Sequence, residues 1–295
     1  MNKIRFAANM DTNYIFHMLS VAKCGYDNSY GEHYRTGYPR EELNILKQNE
    51  PLLTVRGGEH CGLLHGLLVG EPACARMPLP DYYRSLIETG NAVKSGNTPD
   101  NVSVEMIPYT DTIIAISEIM LKYYNDYSEN IWAYEKAKIE NYISDLQDYF
   151  EKSGFTEKAE KLVGCCLKGD YFTATLVTSV EGGAEAIDIS RDQDVFGIER
   201  TLPDAVYFIG HEFIIYLLFE ALAGENAFES SETWLMTEGL AEYYLKKIMG
   251  NTRFNSGTGE FVEFYERCEK KGDLSAVQLY REALLVHMGK NKKNT

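Results

Sequence analysis

The sequence has little positive charge for its size. It carries 29 lysine and arginine residues against 44 aspartate and glutamate residues, which gives a formal net charge of −15. Nucleic acids and anionic membrane surfaces bind basic surfaces, because lysine and arginine release the counterions that surround phosphate groups. We therefore expect no nucleic-acid partner. The acidic charge identifies no partner of its own, since it also serves to keep a protein soluble.

The sequence also lacks a long apolar run. No stretch reaches the roughly 20 consecutive apolar residues that cross a membrane as a helix. The amino-terminal residues MNKIRF are followed by polar residues rather than by the apolar core of a signal peptide. We therefore expect no membrane-spanning segment and a cytoplasmic location.

Cysteines are few and scattered. The six of them stand at positions 24, 61, 74, 165, 166 and 268, without a C-x-x-C pair or a dense framework. Reduced, buried thiols are expected from this spacing. The alternative is a vicinal disulfide between Cys165 and Cys166.

What the sequence does contain predicts an α+β fold that is mainly helical. Apolar residues recur at helical spacing through 107–162, with a break at Ser153-Gly154. Other helices are predicted over 13–22, 39–48, 80–89, 201–222, 232–249 and 259–287. Strands are predicted over 171–180, 184–190 and 195–198. The first two strands are expected to form a β-hairpin around the turn Glu181-Gly182-Gly183.

The helix predicted over 201–222 carries two ionisable residues among apolar ones. These are His211 and Glu212, and such side chains are rarely buried without a partner or a metal. A further carboxylate, Glu238, lies near the start of the next predicted helix. The 26 intervening residues are enough for one helix to end and the next to return antiparallel. We therefore expect Glu238 to approach His211.

This arrangement resembles the gluzincin zinc metallopeptidases. Their active-site helix carries H-E-x-x-H, and the next helix supplies a glutamate ligand within a W-x-x-E-G-x-A pattern. The resemblance makes His211 the first zinc ligand, Glu212 the general base and Glu238 the glutamate ligand. Ile215 stands where the second histidine belongs, and isoleucine cannot bind a metal. Gly239 and Ala241 occupy supporting positions of the pattern, and Trp234 stands four residues before Glu238, one more than the pattern has.

The resemblance covers about residues 168–250 and implies two parts of the chain. Residues 166–295 would form a zincin-like metallopeptidase-type domain, in which a small β-sheet precedes the active-site helix. Residues 1–165 would form a mostly helical amino-terminal region. That region contains no motif to which we assign a role.

The missing histidine leaves the implied zinc site short of one ligand. A catalytic zinc ion usually has three protein ligands and a water molecule. Glu242, one helical turn after Glu238, and Tyr216 are candidate replacements, although Tyr216 lies about 100° around the helix from Ile215. His60 or His65 is a further candidate. The cofactor is therefore zinc, or there is none.

Three functional hypotheses follow. In the first, the chain is a pseudo-peptidase that binds a peptide or protein segment in the retained cleft, for example by strand addition at the sheet edge. In the second, it is an active zinc-dependent peptidase or hydrolase with a non-standard ligand set. In the third, it is a structural or interaction protein in which histidine and glutamate form a buried polar network. His17 and the tyrosines of the 107–162 region are predicted to be core residues.

Overall fold

The computed structural model describes residues 2–56, 60–74, 77–180, 187–190, 193–198, 201–250, 257–270 and 272–291. Most of these residues are helical and a minority form strands, which confirms the predicted α+β, mainly helical fold class. The helices of the first half are α1 Met10–Val21, α2 Ser29–Arg35, α3 Arg40–Gln48, α4 Glu50–Leu53, α5 Glu71–Cys74 and α6 Leu79–Lys94. Those that follow are α7 Thr110–Asn130, α8 Trp132–Ser153, α9 Phe155–Val163, α10 Leu202–Ala221, α11 Ser231–Met249, α12 Gly259–Glu269 and α13 Ala276–Asn291.

The strands form two small sheets. They are β1 Ile4–Ala7, β2 Val55–Arg56, β3 His60–Cys61, β4 Phe172–Val177, β5 Ile187–Ser190 and β6 Gln193–Gly197. Strands β2 and β3 pair with each other, and the larger sheet has the strand order β1-β4-β6-β5. Strands β5 and β6 are antiparallel, with Ile187 opposite Val195.

The predicted β-hairpin between the first two strands is wrong. Strand β6 lies between β4 and β5, so the hairpin joins β5 to β6 instead. All six residues of β4 are buried, and a strand buried in this way needs a neighbour on each side. Strand β1 supplies the other neighbour and was not predicted, because four residues are too short to show a pattern. The predicted turn Glu181-Gly182-Gly183 lies outside the described residues.

The single carboxy-terminal helix predicted over 259–287 is also wrong. The structure has two helices there, α12 and α13. The backbone N–H of Gln278 donates to the Ser275 hydroxyl at 3.3 Å, and the N–H of Ser275 donates to the Gln278 side chain at 2.9 Å. This reciprocal capping box marks the start of a new helix.

The chain forms two compact units that are discontinuous in sequence. Unit 1 comprises Met1–Arg5, Asp145–Ala174 and Thr201–Thr295. Unit 2 comprises Phe6–Ser144 and Thr175–Arg200. Strands β1 and β4 each begin in unit 1 and end in unit 2. The predicted division into 1–165 and 166–295 stays a prediction.

Unit 2 is organised around α1, which is buried on all sides. Every residue from Thr12 to Val21 is buried. Its polar side chains form hydrogen bonds inside the protein: the Asn13 amide N–H donates to the Leu176 carbonyl at 3.0 Å, and the Ser20 hydroxyl donates to the Ser179 carbonyl at 2.7 Å. Buried polar groups need such partners.

Unit 1 is organised around α10, which packs against α9, α11 and α13. The ring of Phe213 lies 6.3 Å from Phe155 and 6.2 Å from Phe172. Within the described part of the chain, α10 alone has the length and apolar composition of a membrane span, but 67% of its most apolar window is buried. Burial of this extent is typical of a core helix, so the described residues show no clear membrane span.

The thiols agree in part with expectation. The structure describes the side chains of five of the six cysteines, all except Cys61, and none of these five forms a disulfide. Cys24 and Cys268 are buried as expected. Cys74 and Cys166 are exposed and Cys165 is half-buried, so the prediction of buried thiols is wrong for these three.

Candidate functional site

The candidate site lies within unit 1, where α10 and α11 pack together. Helix α10 approaches α9 closely at Gly210, where an added Cβ would lie 2.7 Å from the Phe155 ring. The next residue, His211, is buried. Glycine therefore allows the close packing that encloses the histidine.

Helix α11 begins at a well-defined cap. The Ser230 hydroxyl accepts a hydrogen bond from the Thr233 N–H at 3.2 Å, and the Thr233 hydroxyl accepts one from the Ser230 N–H at 3.1 Å. From this start Trp234, Glu238 and Glu242 follow at four-residue intervals and share one face of the helix. Because the cap fixes where α11 begins, it also fixes which residues lie on the same face of the helix as Glu238.

His211 and Glu238 meet directly, as expected from the antiparallel return. The Nε2 atom of His211 lies 2.8 Å from the Oε2 atom of Glu238. The histidine side chain is 4% exposed and that of Glu238 is 24% exposed. An imidazolium N–H that donates to a carboxylate at this distance is a charge-assisted hydrogen bond.

The charges around His211 keep it protonated. Burial alone lowers its pKa, but the hydrogen bond and charge of Glu238 raise it, and the charges of Glu212 and Glu242 raise it further, to about 9. At neutral pH the histidine therefore carries a positive charge. The pair is an ion pair rather than two neutral groups.

The predicted replacement ligands do not complete a metal site among the described residues. Ile215 is buried, and its apolar side chain offers no donor. The ring of the buried Tyr216 lies against Phe172, with 4.9 Å between ring centroids. Glu242 is buried and acts on His211 through its charge.

The two histidines considered from the amino-terminal region lie in unit 2. The Nδ1 atom of His65 is hydrogen-bonded to the Leu53 carbonyl at 2.7 Å, and burial lowers the pKa of this ring. The Nδ1 atom of His65 thus has a structural hydrogen-bond partner. The side chain of His60 lies outside what the structure describes.

The donor set does not fit a catalytic zinc ion. No three histidine, cysteine, aspartate or glutamate side chains of the described residues come together in a way that could hold a metal. Two of the three implied ligands, His211 and Glu238, are present and bind each other, while the third position is Ile215. Since catalytic zinc needs three protein ligands, the arrangement holds a proton between nitrogen and oxygen instead.

A partly exposed aromatic patch lies where α10 ends and α11 begins. It consists of Phe219, Phe228 and Trp234. The rings of Phe219 and Phe228 are stacked with centroids 3.9 Å apart, and Trp234 meets Phe228 edge-on at 5.4 Å. Phe219 is 39% exposed and Trp234 is 36% exposed, and the neighbouring Leu235 is also exposed.

The sequence does not predict this patch. Trp234 stands near the motif of Glu238, and Phe219 and Phe228 belong to no motif. The available signal was the position of Phe219 near the end of α10, three residues beyond the buried Tyr216. The stacking itself depends on the loop that returns the chain to α11, which no local pattern predicts.

Comparison of the chain with protein-family models, with curated proteins and with solved structures finds no match. The gluzincin resemblance therefore rests on the residues of the motif and on their order in the chain.

Proposed function

We propose that this chain is a pseudo-peptidase, which uses a gluzincin-type helix pair to bind a peptide or protein segment without zinc-dependent catalysis. The observation that carries the proposal is the 2.8 Å hydrogen bond between His211 and Glu238, with the buried Ile215 at the position of the missing ligand. In a zinc peptidase both side chains would be directed at the metal.

The missing third zinc ligand changes the expected role of Glu212. In the family it would take a proton from a water molecule that zinc polarises. The set of His211, Glu238 and Ile215 supplies two donors where a catalytic zinc site needs three. Glu212 is accordingly expected to contribute charge to the site rather than general-base catalysis.

The aromatic patch supports peptide binding. Exposed aromatic side chains that lie together are enriched where proteins bind partners. Trp234 precedes Glu238 by one helical turn, so an apolar surface adjoins a partly exposed carboxylate. This combination favours a peptide that presents an apolar side chain next to lysine, arginine or a free amino terminus. The net charge of −15 favours the same class of peptide.

The test is binding of a fluorescein-labelled pool of nonapeptides, each with one phenylalanine or leucine beside a lysine or arginine. We expect saturable fluorescence anisotropy with the unmodified protein and at least about tenfold weaker binding to Trp234→Ala, because aromatic anchors dominate such interfaces. Tyr149→Ala is the matched control, since Tyr149 is an equally exposed aromatic residue of unit 1. Absence of binding, or equal losses in both variants, would contradict the proposal.

Two measurements, of zinc content and of proteolytic activity, distinguish the hydrolase hypothesis from the pseudo-peptidase proposal. Elemental analysis of protein purified without chelators is expected to find much less than one zinc ion per chain. Casein is expected to remain intact with and without added zinc. Stoichiometric zinc together with proteolysis that Glu212→Gln abolishes would establish the hydrolase hypothesis instead.

The buried ion pair also favours the structural hypothesis. If its role is purely structural, His211→Ala lowers stability through the unpaired Glu238 and changes no binding. Under the pseudo-peptidase proposal the same variant weakens peptide binding in protein that remains folded. The absence of a nucleic-acid partner belongs to the proposal and is supported by the acidic charge. A cytoplasmic location also belongs to the proposal.

A further inference from the structure

Unit 2 contains a cavity that is unrelated to the His211 site. Its volume is about 420 Å³, which lies within the range of about 300–1,000 Å³ for small-molecule sites. The rim is formed by exposed residues, among them His33, Tyr134 and Lys138. The floor contains two buried residues, Glu135 and Thr178. The half-buried Tyr30 and Tyr34 form the walls.

The floor of the cavity carries a carboxylate inside the protein. Glu135 is 1% exposed, and it accepts hydrogen bonds from the hydroxyls of Tyr30 and Tyr127, the latter at 2.7 Å. Burial raises its pKa, and the hydrogen bonds from the hydroxyls of Tyr30 and Tyr127 offset part of this increase. Hydroxyl donors stabilise the charge without neutralising it.

A hydrogen-bond chain fixes the direction of these donors. His17 lies between two tyrosines, with Nδ1 at 2.6 Å from the Tyr30 hydroxyl and Nε2 at 2.7 Å from the Tyr38 hydroxyl. Burial lowers the pKa of His17 to about 3, so the ring is neutral. Because Tyr30 gives its proton to Glu135, the Nδ1–H of His17 donates to Tyr30, and Nε2 accepts from Tyr38.

These hydrogen bonds leave part of the Glu135 carboxylate open to a ligand. A carboxylate has about four lone-pair positions, and the hydroxyls of Tyr30 and Tyr127 take two of those of Glu135. The remaining positions suit an N–H donor in the cavity. The rings of Tyr30 and Tyr34, with centroids 4.9 Å apart, add aromatic surface that attracts cations.

The rim of the cavity favours an anion, because it carries the positive charge of Lys138. Lys138 lies one helical turn after Glu135 on α8, and its ammonium group is 5.0 Å from the centroid of the Tyr134 ring. Because Glu135 and Lys138 line the same cavity, a ligand whose amino group binds Glu135 has the Lys138 ammonium group close to its neighbouring atoms. That arrangement suits a carboxylate on the same ligand.

We propose that this cavity is a binding site for a free α-amino acid, with the ammonium group on Glu135 and the carboxylate directed to Lys138. The aromatic walls of Tyr30 and Tyr34 contact the remainder of the molecule. The site lies wholly in unit 2, so it does not depend on the function proposed for unit 1.

The test is isothermal titration calorimetry of the full chain with each of the twenty L-amino acids singly. We expect at least one to bind in the micromolar range. For that amino acid, the decarboxylated amine is expected to bind more weakly, and the deaminated acid is expected not to bind. Failure of all twenty, or equal binding of the deaminated acid, would overturn the proposal.

Two substitutions locate the ligand in the cavity. Glu135→Gln is expected to weaken binding about tenfold or more, because it removes a charged acceptor of the ligand ammonium. Glu140→Gln, an exposed position on the same helix, is the matched control and leaves binding unchanged. Lys138→Gln is expected to weaken binding of the amino acid about threefold without affecting the amine. Because Lys138 is exposed, this variant tests the proposal even if Glu135→Gln fails to fold, and an unchanged affinity for the amino acid would overturn the assignment.

Discussion

Replacement of Glu238 by glutamine is expected to remove a fall in stability that the unmodified protein shows between about pH 6.5 and pH 9. His211 binds its proton more tightly in the folded state, where its pKa is about 9, than in the unfolded state, where it is 6.5. Its contribution to the free energy of unfolding is therefore complete below pH 6.5 and is lost as the pH rises through 9.

The expected size of this effect is about 3 kcal/mol, since each pKa unit corresponds to about 1.4 kcal/mol. In the glutamine variant burial becomes the dominant influence on His211 and lowers its pKa. The variant should therefore be about 3 kcal/mol less stable than the unmodified protein at pH 6, and the difference should shrink toward pH 10.

Denaturation by urea at pH 6, 7.5, 9 and 10 measures this difference. Glu229→Gln is the matched control, because Glu229 is an exposed carboxylate just before α11. The other groups that titrate in this range affect both proteins alike, so the comparison isolates the His211 pair. A stability difference that does not change with pH would show that the two side chains carry no net ion pair.

Replacement of Ile215 by histidine is expected to create a zinc site. His211 and residue 215 are four apart on α10 and lie on one face, and Glu238 already reaches His211. Three donors then converge, which is the ligand number of catalytic zinc. We expect about one zinc ion per chain with a dissociation constant below about 1 μM, which corresponds to a binding free energy of about −8 kcal/mol or more favourable.

Elemental analysis after dialysis, followed by competition with a chromogenic chelator, measures the stoichiometry and affinity. Ile214→His is the matched control, because Ile214 is also buried but lies about 100° around α10. Zinc binding by both variants, or by neither, would show that the helix alignment with the gluzincin motif is wrong.

A third prediction concerns Gly239, next to Glu238. A Cβ atom there would lie 2.5 Å from the Cβ atom of Phe261 on α12, so Gly239→Ala forces the two helices apart. We expect the free energy of unfolding to fall by about 1–3 kcal/mol. Gly259→Ala is the control, since a Cβ there meets nothing within 4 Å. Equal effects of the two substitutions in urea denaturation would contradict the steric explanation.

The sequence was most informative where a single helix carried the signal. The apolar spacing around His211 and Glu212 predicted α10, and the distance along the chain to Glu238 predicted the contact that the structure contains. The roles of these residues, and of Ile215, Glu242 and Tyr216, stay predictions. Strand pairing was less predictable, because the order of β4, β6 and β5 depends on contacts across the sheet rather than on local spacing.

The cavity of unit 2 illustrates what local patterns leave out. His17 was correctly predicted to be buried, but its partners Tyr30 and Tyr38 come from later segments, and Glu135 lies more than a hundred residues further on. None of these residues stands in a recognisable spacing with another. They become a hydrogen-bond chain only when α1, α2 and α8 assemble.

The discontinuous units have a consequence for synthesis on the ribosome. Every segment of unit 2 has been translated once residue 200 is added, whereas unit 1 still lacks Thr201–Thr295 at that moment. Domains generally fold as units during translation, and those completed earlier fold first. Helix α9 must therefore wait for α10 and α11. Once residue 200 has left the ribosome, the chain contains every residue of the Glu135 cavity, and the His211 pair is among the last parts of the protein to form.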